Sequence, residues 1–154
     1  MIWPHRVIDD TCRPEAGPML IRYFLFRSKY LGIYLHHFLR SDNDRHVHDH
    51  PWTFITFLIG GGYWEHIPKN HEAGWCGCGA WHLRRNDDLL PYIARIRRHR
   101  FSILYRPATW RHWVEIDKPA WTLVFRFRRE RDWGFITEKG WVDHATYDRE
   151  WCDE

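Results

Sequence analysis

Three histidines alternate in the segment His46-Val47-His48-Asp49-His50, and a fourth, His112, closes Pro107-Ala108-Thr109-Trp110-Arg111-His112. Alternation along a strand sends residues i, i+2 and i+4 to one face, so neighbouring imidazoles of such a segment converge. Neutral imidazoles at that spacing suit one Zn, Fe, Ni, Cu or, less tightly, Mn ion. The competing reading is a hydrated, pH-sensitive histidine cluster. A second set, His71, Cys76, Cys78 and His82, offers two thiolates and two imidazoles, a ligand set for tetrahedral zinc, although its spacing is not that of a standard finger. A structural zinc there would pin a long loop; the alternative is a flexible loop in which these residues are incidental. Glu65 and Tyr105 are the nearest acid–base candidates. Ser-His-Asp, P-loop and dinucleotide fingerprints are absent, which leaves nucleotide-dependent chemistry without support.

Strands must position these side chains. Leu20 to Arg27, Ile33 to Arg40, Arg45 to His50, Thr53 to Ile59, Gly62 to Ile67, Arg100 to Arg106, His112 to Ile116 and Trp121 to Arg128 are largely β-branched or aromatic. Turn chemistry separates them: Ser41-Asp42-Asn43-Asp44, Gly60-Gly61-Gly62, Pro107-Ala108-Thr109 and Asp117-Lys118-Pro119. Such a succession predicts an all-β barrel or jelly roll. The interval 68–99 reads as a long insertion or loop, with a short helix around Asp87 to Arg95. Residues 132–154 form a C-terminal extension, an aromatic hairpin followed by a short helix from Asp143 to Trp151. Val114 shares the parity of His112 and is expected inward, with Glu115 outward.

The 154 residues predict one domain, 1–154. Hydrophobic residues at 44% and charged residues at 28% exclude the disordered and collagen-like classes. The longest apolar run, Trp52 to Ile59, is far short of the roughly 18 residues of a membrane span. The segment from Met1 to Arg6 lacks a secretory apolar stretch, so a cytoplasmic chain with reduced thiols is expected. A net charge of +3 is too small to imply nucleic-acid binding. The basic residues are nearly all Arg, and the runs Arg95, Arg97, Arg98, Arg100 and Arg126, Arg128, Arg129, Arg131 admit either a planar anion or simply a solvated surface.

The two histidine segments resemble the paired motifs of the cupin superfamily, G(X)5HXH(X)3–4E(X)6G and G(X)5PXG(X)2H(X)3N. His48-Asp49-His50-Pro51 fits the first, with Gly62 as its closing glycine; Pro107 and His112 fit the second, with Thr109 in place of its middle glycine. The longer signature of HDHPW, GGYWE, WTLVF, DWGF and GWV is similar to a group of cupin-like proteins encoded by bacteria and phages. The resemblance implies a cupin-type double-stranded β-helix, or jelly-roll barrel, with a long inserted loop and a short C-terminal helix. It departs at the motif's glutamate, which falls on Phe54 or Ile55, and the glycine run lets either His46/His48 or His48/His50 serve as the HXH pair. Pro51 favours His48, His50 and His112 as ligands of one divalent metal, with His46 as a further ligand or a residue at the pocket mouth. Such a site resembles that of cysteine dioxygenase-type cupins, so Fe(II) is favoured over Zn, Mn or Ni. Trp52, Tyr63, Tyr105 and Trp110 are the pocket-lining candidates, and Trp64, Trp113 and Trp121 join Trp52, Tyr63 and Trp110 as barrel packing.

The implied activity is oxygen-dependent oxidation of a small organic molecule by a dioxygenase-like enzyme. A non-catalytic, sugar-type ligand-binding or sensing cupin with structural or no metal is the first alternative, and a phage-associated interaction protein the second. Expected partners are a small molecule and, by analogy, a second copy of the chain in a homodimer; nucleic acid and membrane are not expected.

Overall fold

The computed structural model describes residues 4–9, 14–42, 46–68, 81–82, 93–137 and 139–151, with side chains left aside at 81, 82, 93 and 151. Period-two alternation of buried and half-buried residues builds its main sheet. In β3 (Gly32–Phe38) the inward places are Gly32, Tyr34 and His36; in β5 (Trp52–Gly60) they are Phe54, Thr56 and Leu58; in β11 (Ala120–Arg129) they are Ala120, Thr122 and Val124. With β1 (His5–Ile8), β2 (Leu20–Arg27) and β9 (Ile103–Arg106) these strands make a six-stranded antiparallel sheet in the order β1-β2-β3-β11-β5-β9.

A second layer faces it. Four strands run in the order β10 (Trp113–Glu115), β6 (Tyr63–Pro68), β8 (Ile93–Arg98), β7 (Trp81–His82), and three more in the order β13 (Gly140–Asp143), β12 (Gly134–Thr137), β4 (Val47–His48). A reciprocal pair of backbone hydrogen bonds between His48 and His112, at 3.0 and 3.1 Å, joins the two groups beside β10. Leu58 and Leu104 of the large sheet pack on Tyr63 and Val114 of this layer, while Tyr34, Phe54 and Val124 form a second buried cluster with Trp52 and Phe24 against it. Val114 is inward and Glu115 outward, as their parity requires.

Local chemistry fixes the sharp points. Gly61 joins β5 to β6 at φ +69, and a Cβ there would crowd the Pro119 carbonyl. Gly134 opens β12 so close to the Val142 carbonyl that no Cβ fits. The chain ends in α1 (His144–Trp151), where the Asp143 carboxylate accepts the amides of Ala145 and Thr146 as an N-cap. No helix among the described residues is long and apolar enough to cross a membrane.

One sequence expectation is corrected. Residues 93–95, read as the end of a short helix, begin β8, and the rest of that helix lies outside the described residues. Its density of arginines disguises the strand. Arg95 and Arg97 point outward onto Trp64 and pair with Glu115 and Asp117, whereas Arg98 turns inward to Glu65. Strands β7 and β8 both fall in the interval 68–99 that the sequence reads as a long loop.

Candidate metal centre

The backbone itself delivers two of the histidines. His48 and His112 are opposite members of one antiparallel hydrogen-bonded pair, so their side chains leave the same face. His50 follows two residues later and is anchored by its amide to the Ala108 carbonyl at 3.0 Å. One ligand nitrogen from each of the three lies within 4.8 Å of the others, and the Nε2 atoms of His50 and His112 face each other at 3.0 Å. Two nitrogens each about 2.1 Å from a metal stand about 3.0 Å apart at a right angle and about 3.4 Å apart at the tetrahedral angle. The His50–His112 spacing is therefore short enough for both nitrogens to bind one ion, and without an ion it is that of an N–H···N hydrogen bond.

Protonation suits a cation as well. Burial, reinforced by the charge of His112, lowers His48 to about 3, and burial with the charges of His112 and His48 holds His50 well below the ordinary imidazole value. His112 donates from Nδ1 to Glu65 Oε1 at 2.7 Å, which fixes the ring with Nε2 facing His50.

Glu65 is the buttress of the centre. It has no exposed surface and accepts from His112, from Arg98 Nε at 2.7 Å, from Arg106 Nε and Nη2, and from Trp110 Nε1 at 3.0 Å. Burial alone would push its carboxyl up, but the bonds and charges of His112 and Arg106 hold it well below the usual carboxylate range. A carboxylate so enclosed stays ionised and, through its bond to Nδ1, orients the His112 ring. Arg106 is an inward residue of β9, visible in sequence only as a charge on the parity of Leu104.

The remaining expected site residues are spread around this centre. His46 is buried and bonds through Nδ1 to the Tyr147 hydroxyl of α1 at 2.9 Å; the three-histidine group does not include it. Trp133 and Phe135 flank His48, and Phe135 stacks on Tyr147 at 3.8 Å, so the C-terminal hairpin and helix cover that side of the trio. Asp49, between the two histidines, has the opposite parity and ties this cover down: its carboxylate accepts from Gly134 N and Trp141 Nε1 and pairs with Arg131. Trp110 lies behind the centre on Glu65, with Arg106 over its ring; Trp52 borders the Tyr34–Phe54–Val124 cluster; Tyr63 is core packing. Tyr105 is 61% exposed on the outward face of β9, since Leu104 and Arg106 take the inward places. The zinc candidates His71, Cys76, Cys78 and the side chain of His82 lie outside the described residues.

Two antiparallel layers enclosing converging histidines from the strand pair 48/112 are what the motif pair implies, and solved structures share the layered fold. The Fe(II) form of HppE superposes with a TM-score of 0.52 at 12% identity, over 81% of this chain and 56% of that one. The chain has the cupin fold. DMSP lyase DddQ from Ruegeria pomeroyi DSS-3 gives a TM-score of 0.53 at 17% identity, again over 81% and 56%. A cupin superfamily protein from Desulfitobacterium hafniense DCB-2 also matches, with a TM-score of 0.45 at 11% identity over 71% and 77%. The chain thus spans 56% of the length of the first two structures, and at these identities the likeness is one of fold. No family model matches the sequence, and no curated protein matches it.

Proposed function

We propose that this cupin is a metal-dependent enzyme acting on a small organic molecule, with His48, His50 and His112 as the ligands and Fe(II) as the working ion. The observation that carries the reading is the 3.0 Å approach of two buried imidazole Nε2 atoms, one of them backed by an ionised carboxylate. His48, His50 and His112 would hold the ion, and Fe(II) bound there would supply one-electron chemistry with oxygen on a substrate. The chain's own residues do the rest. Glu65 fixes the His112 ring and its charge, Phe54 packs edge-on against His50, and Trp133 and Phe135 exclude water beside His48. The likeness in fold to an Fe(II) protein supports the choice of ion, and a lyase with the same fold marks non-oxidative chemistry as the competing outcome.

The test is anaerobic purification with metal supplementation, elemental analysis, and oxygen uptake with small-molecule panels. One equivalent of iron lost together in His48→Ala and His112→Ala, with oxygen consumption that follows iron content, is the expected result. Protein that stays metal-free under supplementation overturns the reading; a metallated protein that turns over substrate without oxygen replaces oxidation with lyase-type chemistry.

A further inference from the structure

One row of cross-strand partners on the inner face of the large sheet runs Arg6, Arg22, His36, Thr122. Partners in register project to the same side, so two guanidinium groups stand next to each other where like charges repel. A buried or half-buried cation ordinarily finds a carboxylate. Arg6 lies exposed on the edge strand, but half-buried Arg22 has no carboxylate partner among the described residues. Arg22 spends its Nε on His36 Nε2 at 2.9 Å and rests over the Tyr34 ring at 5.4 Å, and its two Nη groups have no protein partner there. Burial chiefly, opposed by Tyr34 and aided by Arg6, lowers Arg22 to about 10, so it remains charged at neutral pH. His36 is held neutral by burial and by the charge of Arg22. Thr122 continues the row with a fully buried hydroxyl that also lacks a partner among the described residues.

Among the described residues this leaves a seated guanidinium with its two-pronged edge unused, a second guanidinium beside it, and no compensating negative charge. A planar or tetrahedral oxyanion supplies that charge and takes the edge bidentately. The row also faces the interior that holds the histidine trio. Tyr34, under Arg22, packs in one cluster with Phe54, and Phe54 meets the His50 ring at 4.7 Å.

We propose that Arg22, seated by His36 and flanked by Arg6, is an oxyanion subsite that holds a carboxylate or phosphate group of the small molecule acted on at the three-histidine centre. The link to that centre rests on the proposed function; the subsite itself does not.

The experiment is calorimetric titration of metal-free protein at low salt with inorganic phosphate and, separately, with acetate, so that no metal competes for the anion and the two head groups are told apart. Saturable binding of at least one probe is expected, weakened about tenfold or more in Arg22→Gln, less in Arg22→Lys, and unchanged in His48→Ala. Circular dichroism checks each fold, and Arg6→Gln, at the exposed edge strand, provides a second variant with a smaller loss. Failure of both probes to bind, or wild-type binding in Arg22→Gln and Arg6→Gln, overturns the subsite. Probe binding that depends on Arg22 in a protein that takes up no metal keeps the subsite and removes the metal reading; metal uptake without probe binding does the reverse.

Discussion

At the scale of single residues, the centre depends on what stands behind each imidazole. The alternation His46-x-His48-x-His50 is legible in sequence because strand parity is local, and Pro107…His112 adds the second segment. The carboxylate behind His112 is not legible as such, since Glu65 meets it only through the pairing of β6 with β10 and through arginines from β8 and β9. Glu65→Gln keeps the shape but removes the charge that Arg98 and Arg106 neutralise. It is expected to weaken metal binding about 10- to 100-fold, read by chelator competition. His46→Gln should leave metal stoichiometry unchanged, because His46 is engaged with Tyr147; a lost equivalent of metal would make His46 a ligand.

At the scale of elements, the strands of the large sheet other than exposed β1 follow from alternating apolar residues, and Leu20–Arg27 has the bounds its pattern predicts. Strand β8 escapes that logic because its outward arginines are balanced by Glu115 and Asp117, each 20 residues away in the chain, and by the face of Trp64 on another strand. Asp49 anchors the cover over His48 through its carboxylate, beside the His46–Tyr147 bond. Asp49→Ala leaves the Gly134 amide and the Trp141 indole without their acceptor, and should cost about 1–3 kcal/mol per buried group left unpaired, measured as a lowered denaturant midpoint. Gly134→Ala places a methyl group against the Val142 carbonyl, and the hairpin should detach, raising the fluorescence response of Trp133 and Trp141 to a soluble quencher.

At the scale of the whole molecule, stability is tied to protons and to metal. His36 is kept neutral when folded, while an unfolded histidine takes up its proton near pH 6.5. Below that pH the unfolded chain binds more protons, so stability falls as pH falls. The thermal midpoint should drop between about pH 7.5 and about pH 5.5 and drop less in His36→Gln; His48 and His50 act in the same direction. An ion that binds only the folded centre raises the midpoint, by about 2.7 kcal/mol of stability when present at a hundred times its dissociation constant.

The reciprocal backbone bonds between His48 and His112 carry one more consequence, a kinetic one. His50 and His112 are 62 positions apart in the chain, and they meet only when that strand pair has closed. Closing so long a loop is a late and slow event on the way to a β topology. Uptake of a spectroscopically active ion such as Co(II) during refolding would then serve as a clock for the final closure of the barrel, lagging behind the fluorescence of residues buried by the neighbouring hairpins.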